Sequence, residues 1–154
     1  MIVVDSNVLA ARNMEHEKSS LAELVDRRDP MWIAPPLWRY EFQNILAKAL
    51  WTRRMTMQAA VETWRQAMAA MTENEHEPSP ERVIELSGHY RITAYDANFI
   101  ALAMEMGVLC VTEDGELLQK FPTIAVSMEA FTKSDRTGGM VSEAQAPYRA
   151  RKRK

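Results

Sequence analysis

Four acidic residues stand in apolar surroundings, where the sequence pattern suggests that a strand ends or a helix begins: Asp5, Glu41, Asp96 and Asp114. A carboxylate beside buried apolar side chains carries a desolvation cost unless a positive charge meets it. Four such groups, if they converge, repel one another, and a divalent ion with oxygen ligands is the usual way to neutralise them. These residues therefore predict a metal-dependent hydrolase.

Three of these acids also have a purely structural interpretation as helix caps. Asp5 and Asp114 each precede a possible helix and could be its N-cap. The run Thr93-Ala-Tyr-Asp96 has the spacing of a capping box, in which the threonine caps and the acid closes the box. Both interpretations of these three residues stay open at the level of sequence.

Glu41 has a different structural alternative. It lies four residues from both Leu37 and Ile45, within the apolar stripe of its predicted helix rather than opposite it. Arg39 or Lys48 could pair with it, but a buried ion pair is costly to maintain. This position favours a functional role for the carboxylate.

The elements that must position these acids alternate between strand and helix. Strands are predicted at 2–4, 31–34, 108–111 and 124–126, and helices at 17–28, 37–54, 57–71, 81–90, 95–106 and 115–120, with Gly107 as a C-cap and a polar loop at 73–80. Such alternation predicts a parallel sheet in an α/β sandwich. Ligands bind outside the carboxyl ends of parallel strands, so we expect Asp5 and Asp114 at the same edge.

Length and composition indicate an ordinary globular protein. The 154 residues, 47% hydrophobic and 26% charged with a net charge of −2, suit one domain at 1–132 followed by a polar and basic tail at 133–154, expected to be flexible. The single Cys110 cannot form an internal disulfide, which favours a reducing compartment. No segment approaches the roughly 20 apolar residues that span a bilayer. We therefore expect a cytoplasmic protein with no membrane partner.

Three segments carry a resemblance to a known family. They are Val4-Asp5-Ser6-Asn7-Val8-Leu9, Tyr95-Asp96-Ala97-x-x-Ile100-Ala101-Leu102-Ala103 and Val111-Thr112-x-Asp114-x-x-Leu117, together with Glu41. In this order and spacing they resemble the PIN domain, and within it the chain is most similar to VapC-type toxins of toxin–antitoxin pairs. The resemblance covers residues 1–132. It implies a three-layer sandwich with a short, mostly parallel central sheet flanked by helices.

The resemblance also implies an activity and a site. It implies a ribonuclease dependent on Mg²⁺, or Mn²⁺, with Asp5, Glu41, Asp96 and Asp114 as metal-binding and catalytic acids and with Ser6, Asn7 and Thr112 lining the site. Asp5 and Asp96 are expected to hold the first ion. Glu113 and Glu116 crowd the fourth acid, which leaves the ligand there open.

The implied partners are RNA, a cognate antitoxin protein and a second copy of the chain. RNA requires positive charge near the acids, and the candidates are Arg12, Arg39, Lys48, Arg53 and Arg54. The last six residues carry five further basic side chains, either as a solvated end or as added phosphate affinity. A stripe of methionines with Trp64, at 57–71, is either core or a docking face for a partner helix.

Three rival classes are considered. A haloacid dehalogenase-like phosphatase has a second aspartate two residues after the first, where this chain has Asn7. A receiver domain needs paired acids near its start and a lysine after a later strand, and neither pattern is present. The third is a catalytically silent PIN domain that only binds RNA or protein, for which the loss of one or more of the four acids would be the mark.

Overall fold

The β-branched residues at the start of the chain form a central strand of a parallel sheet. The computed structural model describes residues 1–134, and its strands are β1 (Ile2–Val4), β2 (Trp32–Ile33), β3 (Cys110–Val111) and β4 (Ala125–Val126). Their order is β2-β1-β3-β4, and all pairings between them are parallel. Strand β2 lies on one side of β1 and β3 on the other, so the order in which strands are added to the sheet reverses at β1. Ligands bind at such a reversal point in open parallel sheets.

Helices connect these strands. They are α1 (Ser6–Asn13), α2 (Ser19–Arg28), α3 (Trp38–Trp51), α4 (Met57–Met71), α5 (Pro80–Tyr90), α6 (Ala94–Met106), α7 (Gly115–Lys120) and α8 (Met128–Lys133), with a 3₁₀ turn at Thr72–Asn74. None of the helices in this described range is long and apolar enough to cross a membrane. The part of the predicted tail that follows Ser134 lies outside the described residues.

Both faces of the sheet are covered. Ile2, Val3 and Val4 have no exposed surface, although successive strand residues point to opposite faces. Helix α6 packs against β1 and β3, while α1 packs against α2, α3 and α4. The predicted fold, a parallel sheet between layers of helices, is therefore confirmed.

The ends of the predicted elements shift where the backbone turns. The helix predicted at 37–54 ends at Trp51, because Arg53 adopts a left-handed conformation with φ of 53°. The strand predicted at 108–111 begins only at Cys110, because the Val108 amide donates to the Ala103 carbonyl at 3.0 Å to close helix α6. Gly107, predicted as the C-cap, is left-handed there with φ of 65°.

Two helices were not predicted from their periodicity. In α1 the four consecutive residues 8–11 are buried, so the sequence shows no one-sided pattern. Helix α8 is six residues long, and its only local signal is Ser127, whose hydroxyl accepts from the Ala130 amide at 3.1 Å as its N-cap. Ser6 and Asn7 lie inside α1, and Asp5 is its N-cap, as the structural interpretation of that acid predicts.

The methionine stripe of α4 divides between core and surface. Trp64 packs against Trp38 and Phe42 of α3, with ring centroids 5.7 and 6.4 Å away. Met71 is buried, whereas Met57, at the start of α4, is exposed. The core interpretation therefore holds for the later part of the stripe only.

A partly buried clamp ties α3 to the segment that follows α4. Glu75 accepts two hydrogen bonds from the Arg39 guanidinium, at 2.6 and 2.7 Å, and one from the Trp38 indole nitrogen at 2.7 Å. The backbone beside it pairs with Ala34 at the end of β2. Arg39 lowers the pKa of Glu75, so the glutamate is ionised and the clamp fixes the first turn of α3.

Replacing Glu75 with alanine is expected to lower the free energy of unfolding by about 1–3 kcal/mol, because the buried Trp38 N–H loses its acceptor. Urea unfolding measures the loss. The matched control is Glu77→Ala, at an exposed glutamate of the same segment, which should stay within about 0.5 kcal/mol of wild type. Equal stability of the two variants would show that the clamp contributes nothing.

Candidate active site

Asp5 is the most buried of the four predicted acids and the centre of a hydrogen-bond network. One carboxylate oxygen, Oδ1, accepts from the Ser6 amide at 2.6 Å. The other, Oδ2, accepts from the Asn7 amide group at 2.7 Å and from the Thr112 hydroxyl at 2.6 Å. The Asp5 amide donates to the Val111 carbonyl at 3.0 Å. The aspartate therefore joins the carboxyl ends of β1 and β3.

Glu41 reaches this network through Ser6. It lies in the first turn of α3, is half-buried, and accepts from the Ser6 hydroxyl at 2.5 Å through Oε2. The partners suggested by the sequence are not used, because Arg39 pairs with Glu75 instead. Glu41 thus faces the residues after β1.

Asp96 and Asp114 both form hydrogen bonds at a helix start as well as belonging to the acidic group. The Thr93 hydroxyl caps α6 by accepting from the Asp96 amide at 3.1 Å, as predicted, and it donates to Asp96 Oδ2 at 2.6 Å. The acid therefore bonds to the threonine hydroxyl, whereas a capping box would close on the threonine amide. Asp114 is the N-cap of α7, and its Oδ1 accepts from the Leu117 amide at 2.9 Å. The Asp114 amide donates to Thr112 Oγ1 at 3.0 Å, so the same hydroxyl serves both Asp5 and Asp114.

The two glutamates that crowd Asp114 are committed to lysines. Glu113 forms an ion pair with Lys18 and accepts from the Met128 amide at the start of α8, while its own amide donates to Asn7 Oδ1 at 3.1 Å. Glu116 pairs with Lys120 four residues later. Asp114 is therefore the acid at this position that remains for the site.

Electrostatics couple the four acids. Burial raises the pKa of Asp5, and the charges of Asp96 and Asp114 raise it further, against the hydrogen bonds from Thr112 and the Ser6 amide. Burial likewise raises the pKa of Glu41, to which the charges of Asp5 and Asp96 add, against the hydrogen bond from Ser6. The four carboxylates therefore lie in one field of like charge at one edge of the sheet.

The carboxylates do not enclose an ion as they stand. Among residues 1–134, no three His, Cys, Asp or Glu side chains are grouped closely enough to hold a metal ion. Each of the four acids instead has an oxygen turned toward a protein donor: a backbone amide, a serine or a threonine hydroxyl.

A thiol reaction at the site is disfavoured. Cys110 lies in β3 close to Asp5 and is fully buried. Burial raises the pKa of the Cys110 thiol well above its ordinary value, and the charge of Asp5 raises it further. The thiolate is the reactive form, so Cys110 is an inert core residue.

The predicted RNA-binding cations fall into two groups. Arg12 pairs with Asp26 at 3.1 Å and Arg39 is held by Glu75, so both charges are locally compensated. The side chains of the remaining three form no hydrogen bond or ion pair with residues 1–134 and are exposed; they are Lys48, Arg53 and Arg54. Lys18 was not predicted for the site, and its pairing with a glutamate 95 positions away leaves no sequence signal.

Comparison with known proteins agrees with this architecture. The family model described as the PIN domain matches residues 2–122, so the chain belongs to the PIN domain family, whose members are generally nucleases. The crystal structure of PAE2754 from Pyrobaculum aerophilum is similar, with a TM-score of 0.69, 23% sequence identity, and coverage of 85% of this chain and 92% of that one. That likeness shows the fold alone. No curated protein matches the sequence at a significant level.

The raised pKa of Glu41 predicts a pH dependence of stability. A carboxyl group with a higher pKa in the folded state binds its proton more tightly there, so stability falls as the pH rises from 4.5, its ordinary value, through the raised value. Glu41→Gln removes this titration and keeps an oxygen for Ser6. With divalent ions removed by EDTA, we expect the variant to melt at a higher temperature than wild type at neutral pH, with the difference vanishing below pH 4.5.

Thermal unfolding across the pH range measures this effect. The control for the substitution itself is Glu73→Gln, at an exposed glutamate on the 3₁₀ turn. A melting difference between Glu41→Gln and wild type that is the same at every pH would contradict the electrostatic account of the site.

Proposed function

We propose that this PIN domain is an endoribonuclease that depends on Mg²⁺ or Mn²⁺ and hydrolyses RNA phosphodiester bonds with activated water. The supporting observation is that Asp5, Glu41, Asp96 and Asp114 interact electrostatically at the edge of the sheet where the strand order reverses. A cluster of buried or half-buried acids in which burial and neighbouring charges raise the pKa of some members, here Asp5 and Glu41, is typical of a functional site. In a family of nucleases, it is the natural reaction centre.

The donor set fits a hard divalent cation. Carboxylate oxygens are the ligands preferred by Mg²⁺ and Mn²⁺. A cation would offset both the burial and the charge repulsion that raise the pKa of Asp5 and Glu41. We assign Asp5 and Asp96 to the ion, with Glu41 and Asp114 contributing directly or through water. Such an ion would activate water for attack, neutralise charge on the phosphate and stabilise the leaving oxygen.

The residues of the chain itself position these acids. Thr112 and Asn7 fix Asp5 Oδ2, and Ser6 fixes Glu41. Ser6 donates its hydroxyl proton to a carboxylate rather than to a histidine base, so it is not arranged as a nucleophile. Hydrolysis by water, rather than through a covalent intermediate, follows from this arrangement.

The biological setting is proposed from the resemblance to VapC-type toxins. We propose that the chain is the toxin of a toxin–antitoxin pair in the cytoplasm, that it forms a homodimer, and that an antitoxin protein silences it. The domain is proposed to span residues 1–132, with the basic tail as an additional phosphate contact.

Purified protein is expected to cleave a mixed structured RNA pool only when Mg²⁺ or Mn²⁺ is present. Asp96→Asn and Asp114→Asn should each reduce the rate at least about tenfold, because even the partners of metal ligands contribute that much. Asparagine keeps an oxygen for Thr93 in the first variant and is a good N-cap in the second, so the fold should survive. Gel electrophoresis of the RNA measures the rates.

The matched control is Glu116→Gln, two residues from Asp114 but paired with Lys120. It should cleave as wild type does. A readout independent of activity is the melting temperature: Mg²⁺ should raise it for wild type and less for Asp96→Asn. If the asparagine variants cleave like Glu116→Gln, the site assignment fails. If wild type leaves all RNA intact, the silent binding module becomes the better reading.

The toxin role has its own test. Induced expression of the wild-type chain without an antitoxin is expected to arrest the growth of a bacterial host, because uncontrolled RNA cleavage stops protein synthesis. Expression of Asp96→Asn at the same level should be tolerated. Cell density after induction and immunoblotting for protein level measure both. Normal growth with an active wild-type enzyme would reject the toxin role and leave the nuclease in place.

A further inference from the structure

Two of the most exposed aromatic side chains in residues 1–134 stand directly before two of the site acids. Tyr40 precedes Glu41 and is 71% exposed, and Tyr95 precedes Asp96 and is 63% exposed. Neither phenol hydroxyl forms a hydrogen bond with the described part of the chain. A single exposed aromatic residue on a surface needs no explanation. Two exposed tyrosines that each adjoin an acid of the same candidate site call for one.

Their placement puts both rings at the border of the site. Each tyrosine lies in the first turn of its helix, Tyr40 in α3 and Tyr95 in α6. Glu41 accepts from Ser6 directly after β1, and α6 packs against β1 and β3 and leads into β3, so both helix starts lie at the carboxyl edge of the sheet. Neighbouring residues on a helix point about 100° apart, so each ring lies beside its acid and not in front of it.

The charge pattern explains why aromatic rings would be useful here. The acids repel the phosphates of a nucleic acid, and Arg39, two residues before Glu41, is neutralised by its bidentate pair with Glu75. Stacking on a ring is uncharged and tolerates every base, and it contributes about 1–3 kcal/mol per base. Two rings can therefore hold a strand beside an acidic centre without opposing its charge.

We infer that Tyr40 and Tyr95 stack on unpaired nucleobases on either side of the phosphodiester that the acids cleave. The inference rests on the proposed function, because it takes the acids as the reaction centre. Such stacking requires unpaired bases, because bases within a duplex are already stacked and present no free face, whereas those of loops and single strands can be splayed onto aromatic side chains. The tyrosines are positioning residues that select unpaired RNA.

The first test is binding without cleavage. A short single-stranded RNA and a hairpin duplex, both fluorescein-labelled, are titrated with wild-type protein in EDTA and followed by anisotropy. We expect Tyr40→Ala and Tyr95→Ala each to weaken single-strand binding by about fivefold or more, with the weaker duplex binding unchanged. Tyr40→Phe and Tyr95→Phe keep the ring and should bind like wild type.

The matched control is Trp51→Ala. Trp51 is 74% exposed and lies on the same helix as Tyr40, eleven residues and about 16 Å further on. Its removal should leave single-strand binding unchanged. A direct readout of stacking comes from RNA in which successive bases are replaced by 2-aminopurine, whose fluorescence is quenched on stacking. Quenching at two positions, each lost in one alanine variant, is the expected result.

Failure of this inference differs from failure of the proposed function. If the alanine variants bind single strands as wild type does while metal-dependent cleavage is intact, the stacking role is overturned and the nuclease stands. If binding depends on the tyrosines but no metal supports cleavage, the stacking site stands and the protein is an RNA-binding module. Equal losses in Trp51→Ala would also overturn the inference, because the contact would not be local to the site.

Discussion

The buried carboxylate of Asp5 is the constraint on which the site depends. It lies at the end of the central strand, where burial and the charges of Asp96 and Asp114 disfavour its ionised form. Donors from Ser6, Asn7 and Thr112 offset part of that cost. Those donors come from two different strand ends, so satisfying one carboxylate fixes the register of β1 against β3.

The hydrogen bonds around Asp5 also position the residues that follow β3. The Thr112 hydroxyl that serves Asp5 also accepts from the Asp114 amide, and the Asn7 side chain accepts from the Glu113 amide. Glu113 then binds Lys18 and caps α8. The fourth acid is thus positioned by backbone contacts that begin at the first, and the lysine pair keeps the competing glutamate away.

Capping and site formation turn out to be compatible descriptions of the same residues. Asp5 and Asp114 each accept from an amide group at a helix start, as the structural interpretation predicts, and Asp96 accepts from the Thr93 hydroxyl that caps α6. All three also contribute charge to the acidic group. A cap fixes a carboxylate without an ion, which allows repelling groups to be held near one another. The two interpretations of the sequence were therefore not exclusive.

Local patterns predicted the parallel sheet and most helices, because short periodicities report burial directly. They did not predict α1, whose buried residues run consecutively, or the partners of Glu75 and Glu113, which lie 36 and 95 positions away in the chain. Sequence spacing suggested an ion pair between Arg39 and Glu41, whereas in the folded chain Arg39 forms its ion pair with Glu75. Charges pair by distance in space, and a linear pattern cannot reveal that distance.

The first turn of α3 shows how tightly site and fold are coupled. Four consecutive residues, about 100° apart, point in four directions: Trp38 into the core, Arg39 to Glu75, Tyr40 to solvent and Glu41 to Ser6. None of these positions can rotate without moving the other three. The aromatic packing and the Glu75 clamp that stabilise this turn therefore also set the position of Glu41, so this acid is held as rigidly as the core beneath it.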